Sequence, residues 1–413
     1  MTRPLPPPKK KDPQKRTRAP LVPPGARSRA ALRMTAAAAL GTFRLQVCAA
    51  CGAAAYPPRD ACPKCLSVDL AFRDVPDGGE VVAHTTVRTS TDLYFRERTP
   101  WRVGTVALDC GPAVVAFLHG DVVVPGRVRV AAKLDKAGNA VLIALPESET
   151  PHMRDDPLLR ELTASPKHRR ALVTDGRSAV GRALAAALAR AGASIVFVGA
   201  AQLWKPFPEE AELRAIGNIE IVPLDVTDTT SVSELAGEIG GKVDILVNTA
   251  EHVRPGGVLS RDGITTMRDE FEANVFGLTR LAQAFGVAMR ARGADGTNNA
   301  AAFVDVLPVH ALANWPEFGA FSAAGAARLS LLQCLRAEMR PGGVRVMSVF
   351  TGPLDDDWRQ TVPPPKVTPR QVADAVVRAL EEGIEDSFVG DVARDVAQKW
   401  RQDPKVLERE LGQ

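Results

Sequence analysis

The sequence predicts a multidomain chain: a zinc-binding ribbon with a small β-barrel, followed by an α/β doubly wound parallel sheet. Three observations predict it. Four of the six cysteines form two C-x-x-C pairs, Cys48 with Cys51 and Cys62 with Cys65. Residues 80–146 hold short Val- and Thr-rich runs separated by Gly, Pro and Asn turns. After Lys167, short apolar strands alternate with helical segments. At 413 residues and 44.1 kDa the chain exceeds one comfortable core. Apolar residues make up 45% and charged residues 24%, the balance of a globular protein. No apolar run approaches the ~20 residues that span a bilayer, and Ala36–Leu40 is too short for a signal-peptide core. A cytoplasmic protein without membrane association is expected.

The formal charge is +4, unevenly spread. Residues 1–33 carry ten Lys or Arg against Asp12 alone, a net +9, which leaves −5 for the remainder. That body is not the basic surface a nucleic-acid binder needs. Residues 1–29 combine this charge with many prolines, which remove backbone donors, so a disordered basic tail is expected. An alanine-rich stretch from Ala30 opens a helix-plus-ribbon segment, 30–76.

The pattern Cys48-x2-Cys51-x10-Cys62-x2-Cys65 suits one metal. Each C-x-x-C turn brings two thiolates to a point, and two such knuckles complete a tetrahedral S4 site for structural Zn²⁺. Four protein ligands leave no open position, so this metal should do no catalysis. Cys110 and Cys334 stand alone and read as ordinary core or loop residues. Five strands follow in 77–148: Glu80–Thr89, Arg102–Leu108, Ala113–Leu118, Arg127–Lys133 and Ala140–Leu145. Five short strands in so few residues suit an OB-fold. Residues 149–166, rich in proline and mixed charge, read as a linker.

The string from Arg44 to Gly52, with Tyr56-Pro57-Pro58-Arg59-Asp60-Ala61-Cys62-Pro63-Lys64-Cys65, resembles the zinc-ribbon plus OB-fold proteins of domain-of-unknown-function family 35. The resemblance implies an acyl-CoA-associated module, a non-catalytic partner of thiolases or thiolase-like enzymes. Tyr94, Phe95 and Trp101 with Arg96, Arg98 and Arg102 leave three readings open. They suit an OB-fold nucleic-acid groove, an acyl-CoA tunnel with arginines facing phosphates, or aromatics merely packed on the barrel.

Residues 167–390 alternate strands (Ala171–Val173, Ser194–Val198, Glu220–Leu224, Ile245–Val247, Ala302–Val306, Arg345–Phe350) with helices (Gly181–Ala191, Asp269–Arg290, Ser322–Met339). A Rossmann-like sheet with helices on both faces follows; residues 391–413 read as a C-terminal helix. Four motifs in order resemble the short-chain dehydrogenase/reductase superfamily. Thr174-Asp175-Gly176-Arg177-Ser178-Ala179-Val180-Gly181 stands where T-G-x-x-x-G-x-G belongs. Asp225-Val226-Thr227-Asp228 matches D-V-T-D, Asn248-Thr249-Ala250-Glu251 matches N-N-A-G, and Asn274 matches the helix asparagine of the catalytic set. The resemblance implies a nucleotide site at Thr174, Gly176, Arg177, Gly181, Asp225, Asn248 and Ala250.

The departures point the other way. Asp175 replaces the first glycine and Ala179 the second, so NAD(P) binding is expected to be weakened. The catalytic tyrosine, lysine and serine positions hold Phe321, Gly325 and Pro308, none with a transferable proton or charge. Both tyrosines, Tyr56 and Tyr94, lie in the first half, leaving Asn274 as a vestige. The leading expectation is a non-catalytic accessory or scaffold subunit of an acyl-CoA-processing complex. It would contact a thiolase-type partner and pair with itself or an active dehydrogenase homologue through helices such as the one holding Ala323–Ala327. The alternatives are an NAD(P)-dependent oxidoreductase on a 3-hydroxy or 3-keto acyl-CoA, with rearranged groups such as a His310–Ser322 pair, and an OB-fold nucleic-acid binder.

Overall fold

Alanine loses no side-chain entropy in a helix, and the alanine-rich stretch folds as α1 (Leu32–Ala39), burying Met34, Ala37 and Ala38. The computed structural model describes residues 1–8, 21–25, 27–260, 263–292 and 300–413. Part of the expected disordered tail, residues 9–20 and 26, lies outside the described residues. Residues 1–8 form neither helix nor strand, and the Leu5 N–H donates to Asp155 at 3.2 Å. The chain divides into two compact units, one holding residues 21–165 and the other 166–380 and 386–413.

In the first unit, β1 (Arg44–Cys48) pairs antiparallel with β2 (Ala54–Ala55) and β3 (Leu70–Asp74) as the ribbon. Then come β4 (Gly78–Val87), helix α2 (Leu93–Arg96), β5 (Trp101–Leu108), β6 (Ala113–Leu118), β7 (Gly126–Leu134) and β8 (Ala140–Pro146). These five strands close into a barrel in the order β4-β5-β6-β8-β7. Period-two burial supplies its core: Val128, Val130, Ala132 and Leu134 of β7 point inward against Val106, Leu118 and Leu142. The segment expected to be a linker is in part a packed element. Helix α3 (Pro157–Glu161) starts at Asp156, whose side chain accepts the Leu158 and Leu159 N–H groups at 3.0 and 2.9 Å. Leu159 and Leu162 then bury against Ile143 and Leu145 of β8.

The second unit runs β9 (Arg170–Val173), α4 (Ala179–Arg190), β10 (Ile195–Ala200), β11 (Ile219–Pro223), β12 (Ile245–Asn248), β13 (Ala302–Pro308), β14 (Arg345–Thr351) and β15 (Asp386–Val389). All the strands pair parallel, in the order β11-β10-β9-β12-β13-β14-β15. Every residue of β13 is buried, as a central strand covered on both faces requires. Leu172, Leu246 and Phe303 pack against Leu281, Phe285, Met289 and Leu332 from the helices.

Three features differ from expectation. β15 has no counterpart among the expected strands, because four residues with only Phe388 and Val389 apolar give too short a pattern. The helix expected over Asp269–Arg290 runs from Gly263 to Ala291 and widens to π-helix at Glu272–Phe276 and Ala282–Gly286. The C-terminal helix is two, Asp391–Gln402 and Pro404–Leu411. Proline cannot donate to a continuing helix, and Asp403 instead caps the second one, accepting from the Lys405 and Val406 N–H groups at 2.9 and 3.2 Å. Among the described residues, no helix is long and apolar enough to cross a membrane.

Candidate functional site

The four cysteines meet at the ribbon's tip. Cys48 ends β1, and the Gly52 N–H returns to the Cys48 carbonyl at 2.9 Å, with Gly52 in the left-handed region at φ 71°. The second knuckle repeats this bond, Leu66 N–H to Cys62 carbonyl at 3.0 Å. The sulfurs all lie within 4.8 Å of one another, with Cys48–Cys65 at 3.6 Å and Cys51–Cys62 at 3.7 Å. A tetrahedral ZnS4 centre with Zn–S of about 2.3 Å requires sulfurs about 3.8 Å apart, so the set fits structural Zn²⁺. The Cys51 N–H, foremost, pulls the Cys48 thiol down to about 6, and the Cys65 N–H lowers Cys62. Gln46 carries no sequence signal of its own, yet it ties the knuckles together. Its amide donates to the Arg59 carbonyl at 2.8 Å and accepts the Arg59 N–H at 2.7 Å.

In the second unit the expected nucleotide residues gather at the carboxyl ends of β9, β11 and β12, beside the switch point where β9 separates β10 from β12. Thr174 Oγ1 donates to Asn248 Oδ1 at 2.8 Å and accepts the Thr249 and Ala250 N–H groups at 2.9 and 3.2 Å. The turn before α4 keeps its packing glycines. A Cβ on Gly176 would lie 2.3 Å from Val198, and one on Gly181 only 1.7 Å from the Asp175 carbonyl oxygen. Several of the turn's donors, however, are already taken. The Asp175 carboxylate accepts the Arg177 N–H at 2.9 Å and also engages the Ser178 N–H, while the Ser178 hydroxyl accepts the Gly181 N–H at 3.0 Å. Burial pushes the Asp175 carboxyl above its ordinary value against those N–H groups. Arg177 donates twice to the Lys205 carbonyl, at 2.9 and 2.6 Å, and Asp225 folds onto Thr227 at 2.9 and 2.7 Å. The frame of a dinucleotide site is present, and the Asp175 carboxylate takes up backbone N–H groups of the turn that would otherwise face a pyrophosphate.

The catalytic end is filled as well. Phe321 packs with Val253, Phe318, Val362 and Trp315. A Cβ on Gly325 would meet Pro308 Cγ at 3.3 Å and Ala311 Cα at 3.4 Å, a tight fit at the position where the family has its lysine. His310 stacks on Trp315 at 4.1 Å, and burial lowers its imidazole to about 4. The Ser322 hydroxyl donates to the His310 and Ala313 carbonyls at 3.2 and 3.1 Å, not to the imidazole. The His310–Ser322 pair of the alternative reading is therefore not formed, because helix-start geometry turns the hydroxyl onto main chain. Asn274, inside the first π-helical stretch, pins the loop after β12, donating to the His252 carbonyl at 2.7 Å and accepting its N–H at 2.9 Å. It also donates to Glu270 at 2.8 Å, whose carboxyl burial drives up to about 8.

Two buried arginines lie outside the sequence-derived set. Arg328 makes a double hydrogen bond to Asp305 at 3.1 and 2.9 Å, both side chains fully buried, and Asn248 donates to the same carboxylate at 2.6 Å. Asp305 inside an apolar strand was the available signal, since a buried charge demands a partner. Arg359, 2% exposed, pairs with Glu251 and Asp356, its guanidinium 5.2 Å from the Phe321 ring centroid. Its signal was Glu251 standing where the family has glycine.

Known proteins resemble the chain region by region. Residues 35–71 match the model described as ChsH2, rubredoxin-like zinc ribbon domain, residues 72–134 the ChsH2 C-terminal OB-fold domain, and residues 169–366 short chain dehydrogenase. An uncharacterized oxidoreductase of Mycobacterium bovis is 30% identical over 235 residues, which is 54% of this chain and 66%, just under two thirds, of that protein. The 1-deoxy-11-beta-hydroxypentalenate dehydrogenase of Streptomyces exfoliatus is 31% identical over 205 residues, 48% of this chain and 72% of that enzyme. A short chain dehydrogenase from Burkholderia cenocepacia, solved with NADP, superposes with TM-score 0.53 at 30% identity, over 59% of this chain and 97% of its own. The second half of the chain thus belongs to the short-chain dehydrogenase/reductase family, and it follows a ChsH2-type zinc ribbon and OB-fold in the same polypeptide.

Proposed function

We propose that the chain is a non-catalytic accessory subunit of an acyl-CoA-processing complex, with a thiolase-type enzyme as partner of the first unit. The observation that carries this reading is the filled catalytic end. Phe321 occupies the place of the proton-transferring tyrosine, and Pro308 and Ala311 close on Gly325 where the lysine would stand. A general acid is worth roughly 10²–10⁴ in rate, and the group that would supply it is missing here. The ChsH2-type domains support the acyl-CoA association through the family they resemble. The α/β unit then serves assembly. Phe276 and Val287 on the helix from Gly263 to Ala291, and Leu331 on helix Gly319–Met339, are exposed apolar residues suited to pairing with a second copy or an active relative.

The test has two arms. Purified chain, alone, is assayed with NADH and NADPH on 3-keto and 3-hydroxy acyl-CoA; no turnover is expected. Tagged chain is then recovered from its own cell and its companions identified. Turnover by the isolated chain would establish the oxidoreductase alternative, and recovery of no acyl-CoA enzyme would remove the scaffold reading.

A further inference from the structure

The first unit contains a cavity of about 530 Å³ against the barrel wall, within the size range of small-molecule sites. One side is an aromatic wall: Tyr94 and Phe95 of α2 meet edge to face at 5.2 Å, and Phe95 lies 5.1 Å from Trp101 of β5. Leu158 and Leu162 at α3 and Pro23 from the segment before α1 contribute further apolar lining.

The charged groups around it decide what it takes. Among the described residues Arg27, Arg98 and Arg102 face Asp135, Asp156 and Glu161, so that ionisable lining is formally neutral. Each arginine is also committed. Arg102 donates to the carbonyls of Val122, Gly120 and His119 at 2.9, 3.3 and 3.4 Å. Arg98 lies over the Tyr94 ring at 3.8 Å, donates to the Tyr94 carbonyl at 2.9 Å and pairs with Glu161 at 3.4 Å, where Lys136 also binds at 2.8 Å. Arg27 pairs with Asp135 at 3.6 Å and donates to the Pro24 carbonyl at 3.1 Å. Asp156 is occupied by the α3 cap and the Gly120 N–H at 2.9 Å. A phosphate clamp or a nucleic-acid groove needs surplus cations. Among the described residues this lining has none, and most of what it presents inward is aromatic and aliphatic carbon.

We propose that this cavity binds the uncharged, apolar part of a ligand and leaves any phosphorylated portion in solvent. Joined to the acyl-CoA reading above, on which this clause rests, the group bound is the acyl moiety and not the coenzyme.

The test titrates the full-length chain with the neutral fluorophore N-phenyl-1-naphthylamine. Saturable binding is expected, weakened about tenfold or more by Leu158→Trp, which fills the cavity, and by Trp101→Ala, which removes its wall. Thermal melting of both variants checks that they fold. Long-chain acyl-CoA is expected to displace the probe, whereas coenzyme A alone, ADP and a single-stranded oligonucleotide are not. Probe binding that is absent or indifferent to both folded variants overturns the proposal, as does displacement by coenzyme A or the oligonucleotide as effective as by acyl-CoA. Cavity-dependent probe binding that acyl-CoA fails to displace supports the apolar site and counts against the acyl-CoA function.

Discussion

The zinc ribbon and the turn before α4 are both short loops whose backbone N–H groups converge on negative charge, yet they have diverged in opposite ways. In the ribbon, the Cys51 and Cys65 N–H groups lower the thiols of Cys48 and Cys62, and all four ligands point at a space sized for an ion from outside the chain. In the turn, the N–H groups of Arg177 and Ser178 point at Asp175, an anion the chain carries itself. A loop built to hold a ligand can keep its shape when a side chain replaces that ligand, because the backbone donors need an acceptor wherever it comes from. Fold retention therefore says little about function.

The largest effect expected from this contrast is loss of the metal. Cys48→Ser should abolish zinc retention, measured by metal analysis, and open the ribbon to proteolysis. Structural Zn²⁺ contributes about 10–16 kcal/mol of apparent binding energy in comparable small sites. Full zinc content and unchanged protease resistance in the variant would show that the ribbon folds without its fourth ligand.

Next in size is the buried pair. Arg328→Met should cost about 3–5 kcal/mol in the denaturant-measured stability of the α/β unit, since it leaves Asp305 charged and fully buried beside Asn248. Adding Asp305→Asn in the same chain should recover much of that loss, because the stranded charge goes with it. Equal stability of single and double variants would mean that the pair contributes through packing alone.

What the sequence made legible follows from the same physics. The cysteine spacing exposed the zinc site because metal geometry dictates ligand spacing. The five barrel strands and six of the seven sheet strands lay on period-two or apolar runs bounded by turn residues, whereas β15 was too short to register. The replaced catalytic positions were also readable as identities. What filled them was not: the closure of Pro308 and Ala311 on Gly325, the stacking of His310 on Trp315, and the seating of Arg359 between Glu251 and Asp356 depend on packing that no local pattern encodes. Asp175 shows the boundary well. The sequence indicated a carboxylate that would repel phosphate, while only the structure shows it consuming the donors phosphate would need.

That point gives a gain-of-function test of intermediate size. Asp175→Gly with Ala179→Gly should raise NADPH affinity by about tenfold or more, read by fluorescence titration. Removing the carboxylate frees the Arg177 and Ser178 N–H groups, and the second change removes a methyl from the approach. Micromolar NADPH binding by the unaltered chain, or no gain in the double variant, would sink the idea that Asp175 closes this seat.

The smallest effect separates structural from catalytic use of Asn274 and Glu270. The Glu270 carboxyl sits at about 8 in the folded chain, driven first by burial, against an ordinary value of 4.5. Between those values the folded state holds a proton that the unfolded chain releases, so stability falls as pH rises through the window, and the loss is complete above about 8. Asn274 Nδ2 and the Arg254 N–H donate to separate oxygens of Glu270, at 2.8 Å each; Glu270→Gln cannot ionise and keeps an acceptor oxygen for one of these two donors. Its urea midpoint should therefore decline less from pH 5 to 9 than that of the native chain. His310 contributes with the opposite sign: its folded value of about 4 lies below the ordinary 6.5, so stability is lost as pH falls from 6.5 toward 4 in both proteins. A native profile flat from pH 5 to 9 would place Glu270 in solvent contact, and the loop that Asn274 pins would then stand open instead of closed over the carboxyl.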